Sequence, residues 1–279
     1  MSNGKTCLIT GATSGIGKAT ALSLAQQGAS TLLVSRNKEK GETVRNEFIG
    51  KTGNANIQLY IADLSSQKEI QNLALKIKKD HSRIDVLINN AGGIFNTRTT
   101  TADGIELTFA LNHLAYFLLT NLLLDLLRAA PAARIVSVSS QAHQFGTMDF
   151  GDLGYEKGYN PMRSYARSKL ANILFTYELA KRMQGSSVVA NTLHPGAVRS
   201  NFGKELSGIA GFVFKHFDIF MRSPEKGAET VIWLASAAEA EGISGKYFLD
   251  KKEIRSSKIS YDETIATRLW EVSAEMTGI

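Results

Sequence analysis

Apolar positions along this chain follow two alternating rhythms, one of strand length and one of helical spacing. Lys5 to Thr10 is a short apolar run ending in Gly11, and Ile16 to Gln27 then carries helical spacing up to Gly28, a C-terminal helix signal. Thr31 to Ser35, Ile57 to Ala62 and Val86 to Asn89 predict three more strands. Between them lie a polar helix over Lys38 to Gly50 and an amphipathic one over Gln67 to His81, with Ile70, Leu73, Ala74 and Ile77 on one face. Gly104 to Arg128 predicts one long buried helix. After it come a strand at Arg134 to Ser139, a helix at Ser164 to Gln184 and a strand at Val188 to His194. A helix near Ala228 to Ala235 and a last strand at Lys246 to Leu249 complete the pattern. Strands alternating with helices need crossover connections. The expectation is therefore an α/β fold, a single domain over 1–279, with a doubly wound parallel sheet of about seven strands and helices on both faces. Ligands of such sheets sit outside the carboxyl ends of the strands.

Two apolar stretches need separate treatment. Leu107 to Leu127 is interrupted by Asn112, His113, Asn121 and Asp125, so it reads as a helix packed on protein and not as a membrane span. Ile209 to Met221 is too short to span and carries Lys215, His216 and Asp218, so it reads as an apolar lid or as a shallow membrane-touching helix. Gln141 to Met162, with Gly146, Gly151, Gly154, Gly158 and Pro161, reads as a long loop, and Ser200 to Ser223 as a second segment for substrate contact.

Composition narrows the picture modestly. The 279 residues carry 32 Lys and Arg against 26 Asp and Glu, a net +6, but the basic residues are scattered, as in Lys76-Ile77-Lys78-Lys79, so no nucleic-acid partner is expected. The single cysteine, Cys7, excludes an internal disulfide and a multi-cysteine zinc site, and its apolar strand suggests an inert thiol. Met1 to Lys5 lacks the apolar stretch of a signal peptide, so a cytoplasmic location is expected, with no transmembrane segment.

Candidate chemistry begins at Thr10-Gly11-Ala12-Thr13-Ser14-Gly15-Ile16-Gly17. Three glycines between the first strand and first helix let backbone N–H groups approach a pyrophosphate, as in a Rossmann-type dinucleotide site. The second strand ends in Ser35-Arg36 where an acidic residue would bind the 2′-hydroxyl of NAD, and Arg36 suits a 2′-phosphate instead. NADP(H) is therefore the expected cofactor, the competing reading being a solvent-facing arginine. Asp63 can accept from an adenine amino group with Leu64 covering the ring, or can cap the following helix. Asn89-Asn90-Ala91-Gly92-Gly93 permits close backbone approach to a ribose, or is an ordinary turn.

Tyr165 and Lys169 stand four apart in a predicted helix and so share a face, where an ammonium favours a phenolate. For acid–base work near neutrality the phenol's pKa must come down by roughly 3 from about 10, with Lys169 and the positive nicotinamide ring of the oxidised cofactor together as the source. Ser140, at the loop entrance after the fifth strand, can hold a substrate oxygen, with Ser139 as the competing assignment. Asn112 inside the buried helix serves either a proton relay or a structural hydrogen bond. His81, His113, His143, His194 and His216 show no ligand spacing, so no metal is expected.

Taken together, Thr10-Gly11-x-x-x-Gly15-x-Gly17, Asp63, Asn89-Asn90-Ala91-Gly92, Asn112, Ser140, Tyr165-x-x-x-Lys169, and Pro195-Gly196 followed by Val198 resemble the short-chain dehydrogenase/reductase family from about Lys5 to Asp250. The resemblance implies a catalytic set of Tyr165, Lys169, Ser140 and Asn112. It also implies a cofactor site of Gly11, Thr13, Ser14, Gly15, Ile16, Gly17, Arg36, Asp63, Leu64, Asn90, Ala91, Gly92, Tyr165, Lys169 and Val198, with Val198 meeting the nicotinamide carboxamide through its backbone. Leu111-Asn112-His113-Leu114, Ser139-Ser140-Gln141-Ala142-His143, Ser168-Lys169-Leu170-Ala171-Asn172 and His194-Pro195-Gly196-Ala197-Val198-Arg199-Ser200 resemble retinol-dehydrogenase-like reductases more closely, and on that resemblance the serine is Ser140. The implied function is interconversion of a lipophilic carbonyl compound and its alcohol. The alternatives are an NADP(H) sensor without turnover and a protochlorophyllide reductase, the latter expected to carry cysteines near its substrate. The apolar faces of the Leu107 and Ser164 helices either close a homodimer or fill the core.

Overall fold

The computed structural model describes residues 2–198 and 221–279. The Ile209 to Met221 stretch, except Met221 itself, and all of Ser200 to Ser223 before that residue lie outside the described residues. One sheet of eight strands runs in the order β3-β2-β1-β4-β5-β6-β7-β8. The strands are β1 (Thr6–Thr10), β2 (Ser30–Ser35), β3 (Ile57–Ile61), β4 (Val86–Asn89), β5 (Ala133–Val138), β6 (Val188–Leu193), β7 (Tyr247–Leu249) and β8 (Lys252–Glu253). All pairings are parallel except β7 with β8, the short antiparallel strand that takes the count past the expected seven.

Strand alternation sends apolar side chains to both faces. Leu8, Leu32, Leu87 and Ile135 enter one core cluster, and Cys7, Ile9, Leu33, Ile88 and Val136 the other. A sheet covered on both faces requires such near-continuous apolar strands. Burial pushes the Cys7 thiol up to about 12, so it stays protonated and inert, as its setting in the sequence suggested.

Helices α1 (Gly15–Gln26), α2 (Lys38–Thr52) and α3 (Gln67–Asp80) follow the first three strands. The helix expected without interruption over Gly104 to Arg128 is instead broken. It consists of α4 (Leu107–Phe109), a π-helical turn (Ala110–Leu114), α5 (Ala115–Leu122) and α6 (Leu124–Arg128). Glu106 starts it, accepting from the Thr108 and Phe109 amides at 2.8 and 2.9 Å. The widened turn carries Asn112 and His113, whose partners lie on other segments, and π-helical turns of this kind often accompany functional sites.

The segment expected as a loop after Ser140 opens with a 3₁₀ turn (Gln141–Phe145), and α7 (Pro161–Arg182) starts earlier than expected because Asn160 caps it and Pro161 fits its first turn. Beyond α8 (Pro224–Ser236), the chain ends in α9 (Glu263–Thr277), a helix additional to the expected elements. Its signals were present: Asp262 caps it, Gly278 ends it at φ +70°, and Ile265, Leu269, Val272 and Met276 keep helical spacing. Trp270 of α9 meets Phe117 of α5 edge-on at 4.9 Å and stacks on Phe175 of α7 at 5.8 Å. The chain's own C-terminal helix therefore covers part of the apolar faces of α5 and α7.

Candidate active site

Sheet order reverses between β1 and β4, which opens a crevice at their carboxyl ends. Thr10 stitches the two sides together. Its hydroxyl donates to the Ile88 carbonyl at 3.1 Å and accepts from the Asn90 and Ala91 amides at 2.8 and 3.0 Å, while Asn90 Nδ2 donates to the Thr10 carbonyl at 2.9 Å. Two of the glycines are required by this packing. A Cβ on Gly17 would stand 2.3 Å from the Gly11 oxygen and 2.4 Å from Asn90 Nδ2, and one on Gly11 would stand 2.9 Å from Ala91 Cα. Asn90, Ala91 and the turn therefore form a single unit, joined by the hydroxyl of Thr10, the residue that opens the glycine motif.

Ser14 caps α1 without a side-chain hydrogen bond, and the first turn of that helix holds no acidic residue. The leading N–H groups of α1 are thus left to the crevice with the positive end of the helix dipole, a fitting cradle for a pyrophosphate. Thr13, Ser14, Gly15 and Ile16 line this entry. Val198 packs against the start of α8, where a Cβ on Gly227 would meet Val198 Cγ2 at 2.6 Å and Ile16 Cγ1 at 3.3 Å.

Arg36 is exposed just past β2, and Asp63 is half-buried just past the neighbouring β3. Asp63 Oδ1 accepts from the Ser65 amide and hydroxyl at 2.9 and 2.8 Å, whereas the cap of α3 is Ser66. The reading of Asp63 as that cap is thereby corrected: it closes a short turn ahead of the helix. Leu64 is buried in the core cluster beside Ile70 and Leu73.

Tyr165 and Lys169, one turn apart on α7, are both buried. Ser140 caps the 3₁₀ turn, accepts from the Ala142 amide at 3.2 Å and hydrogen-bonds the Tyr165 hydroxyl. Ser139 donates instead to the Lys169 carbonyl at 2.7 Å, so the competing serine holds the backbone of α7. Asn112 Oδ1 accepts from the Gly93 amide at 2.8 Å, and its Nδ2 donates to the Gly93 carbonyl at 2.9 Å and to Ser168 at 3.0 Å. A Cβ on Gly92 would lie 2.8 Å from Asn112 Oδ1 and 3.6 Å from Lys169 Nζ, so the glycine loop, Asn112 and Lys169 converge.

Burial raises Tyr165 to about 12, offset in part by its bond to Ser140, and burial lowers Lys169 to about 7. Lys169 Nζ donates to the Val138 carbonyl at 3.0 Å and stands 5.7 Å from the Tyr165 ring centre. Desolvation dominates, and it favours the neutral form of the buried phenol. Among the described residues, no group of three or more His, Cys, Asp or Glu is placed to hold a metal ion, and no helix is long and apolar enough to cross a membrane.

This crevice, glycine turn and Ser-Tyr-Lys cluster accord with the sequence profile of the short chain dehydrogenases, which matches residues 5–208; the chain belongs to the short-chain dehydrogenase family. Human retinol dehydrogenase 13 is similar to it at 44% identity over 283 residues, spanning 99% of this chain and 85% of that protein. Human retinol dehydrogenase 14 is 41% identical over 294 residues, spanning 99% and 87%. Among solved structures, an uncharacterised protein from Mycobacterium paratuberculosis superposes with a TM-score of 0.79 at 31% identity, covering 99% of this chain and 94% of that one. A short chain dehydrogenase from Escherichia coli CFT073 complexed with NADPH gives 0.71 at 26% identity, covering 88% and 96%.

Proposed function

We propose that this chain is an NADP(H)-dependent oxidoreductase that interconverts a lipophilic aldehyde or ketone and its alcohol, with Tyr165 as the proton-transferring residue. The observation that carries the reading is the hydrogen bond between Ser140 and the buried Tyr165, with Lys169 one turn away and, across the crevice, the start of α1, whose cap makes no side-chain hydrogen bond. Gly11 to Gly17 and the Asn90 to Gly92 loop would hold the cofactor's pyrophosphate and ribose, Arg36 its 2′-phosphate, and Asp63 its adenine edge, with Val198 meeting the carboxamide through its backbone. A bound nicotinamide supplies or accepts the hydride. Ser140 and Tyr165 together hold the substrate oxygen, and Tyr165 delivers its proton as that oxygen gains negative charge. Burial keeps the phenol protonated, which is the form that reduction consumes. Lys169 is drawn close to neutrality and exchanges a proton there at little cost, while Asn112 fixes the loop beneath it. A lipophilic substrate is supported by the relatives, whose name, retinol dehydrogenase, denotes an apolar alcohol.

NADPH oxidation across retinal, aliphatic aldehydes, quinones and steroid ketones tests the reading. Tyr165→Phe should lower kcat on any accepted compound by about 10²- to 10⁴-fold. Turnover close to that of the parent enzyme removes the assignment, and tight NADPH binding with no turnover of any compound favours a sensor. In the same assay Arg36→Asp should weaken NADPH relative to NADH by about tenfold or more; an unchanged preference removes Arg36 from the 2′-phosphate.

A further inference from the structure

His143 is fully buried three residues beyond Ser140, and nothing in the proposed chemistry uses it. Its Nε2 accepts from the Ser257 backbone N–H at 3.0 Å. A backbone N–H cannot accept, so Nε2 carries no proton. The proton therefore sits on Nδ1, which donates to the Ser140 carbonyl at 2.7 Å, an oxygen that can only accept. Two partners with fixed roles thus impose one neutral tautomer. The His143 amide donates to the same carbonyl at 3.1 Å, so both acceptor directions of the Ser140 oxygen are taken by one residue.

The far side of the ring is rigidly held. Tyr247 lies edge-on to His143 at 5.0 Å, its hydroxyl 3.3 Å from Nδ1, and is itself stacked on His194 at 5.7 Å. Ser257 belongs to a cross-braced turn: Ser260 Oγ donates to the Ser257 carbonyl at 2.6 Å, and the Ser256 amide donates to the Tyr261 hydroxyl at 3.1 Å. Burial holds the imidazole below its ordinary range against the opposing effect of the Ser140 bond, consistent with a ring that stays neutral.

We infer that His143 is a positioning residue: it is a strut from the turn that Ser257 opens to the Ser140 peptide, fixing where the Ser140 hydroxyl meets Tyr165 and the substrate oxygen. The inference rests on the proposed role of Ser140. Two variants of the full chain separate its two bonds. In His143→Asn the amide nitrogen can stand where Nδ1 stood, keeping the bond to Ser140 and losing Ser257. In His143→Gln the longer side chain reaches Ser257 and loses the side-chain bond to Ser140, leaving only the backbone bond from residue 143.

With a carbonyl substrate that the parent enzyme reduces, kcat should fall by about tenfold or more in His143→Gln, the scale on which small misplacements of a catalytic group act. His143→Asn should keep kcat within about threefold while its thermal midpoint drops, and KM for NADPH should hold in both. In a Ser140→Ala background, His143→Gln should cost almost nothing further, because no hydroxyl is left to position. The reverse ranking of Asn and Gln, parental kcat in His143→Gln, or an equal cost of His143→Gln with and without Ser140 overturns the strut. If Ser140→Ala alone retains turnover, the role of Ser140 falls and the strut with it; if Ser140→Ala loses turnover while His143→Gln does not, only the strut falls.

Discussion

The glycine turn and the Tyr165 cleft are shaped by different kinds of contact. At the turn, the contacts that fix geometry are made by backbone and short side chains of β1, α1 and the loop after β4, with Thr10 bonded to Ile88, Asn90 and Ala91. Around Tyr165 and Ser140 they come from side chains on remote segments, Asn112 from a π-helical turn and His143 between Ser140 and Ser257, while Trp270 of α9 packs farther along α7, on Phe175. The first arrangement tolerates no added atom. The second tolerates substitution but depends on segments far away in the chain, so that side of the site should respond to changes in the last residues and the turn should not.

The largest effect follows from the tightest fit. Gly17→Ala brings a methyl to 2.3 Å from the Gly11 oxygen and 2.4 Å from Asn90 Nδ2, and both neighbours belong to the cofactor turn. Overpacking of about 1–3 kcal/mol at such a point should lower NADPH affinity by up to about 100-fold, read by calorimetric titration. Parental affinity in this variant would mean that the turn yields more easily than its contacts indicate.

Trp270→Ala probes the opposite arrangement. The indole is half-buried between Phe117, Phe175 and the Arg182 guanidinium, which stands 4.3 Å from its ring centre. Its loss should cost about 2 kcal/mol of stability in denaturant titrations, below the range for fully buried aromatics. NADPH affinity should hold while turnover declines. Equal losses in cofactor affinity and turnover would erase the distinction between the two regions.

The same difference governs what could be read from the sequence. Strands β1 to β6 and the glycine turn were legible because their signals are local: an apolar run, a glycine at a positive φ such as Gly11 at +66° or Gly15 at +52°, then helical spacing. Tyr165, Lys169 and Ser140 come together as the spacing and the family resemblance implied. The break within 107–128 was not legible, since it accompanies bonds from Asn112 to Gly93 and from His113 to Ser273 that no local pattern reports. The burial of Tyr165 and Lys169 was illegible for a related reason. Spacing reveals a neighbouring lysine, whereas the loss of water around both groups, which sets the direction of their pKa shifts, is a property of the packed cleft.

The smallest effect at neutral pH, and the most specific in its pH dependence, belongs to His113. This fully buried imidazole bonds Ser273 of α9 at 2.9 Å and sits 5.0 Å from the Phe109 ring. Burial lowers its pKa from 6.5 to about 3. Between those values the unfolded chain binds a proton that the folded chain refuses, so stability is complete above pH 6.5 and drains away as pH falls toward 3, by up to about 1.4 kcal/mol per pH unit. His194, lowered to about 4 by burial first and by His143 and Arg222 next, adds a similar loss over the upper part of that window. His113→Leu should cost about 1 kcal/mol at pH 7 through the lost bond to Ser273, yet it should lose less stability than the parent as pH drops, because one of the proton-refusing sites is gone. Thermal midpoints of both proteins from pH 7 to pH 4 decide the matter: converging curves fit a neutral, buried His113 tying α9 to the π-helical turn, and parallel curves would mean that this histidine takes up its proton in the folded protein.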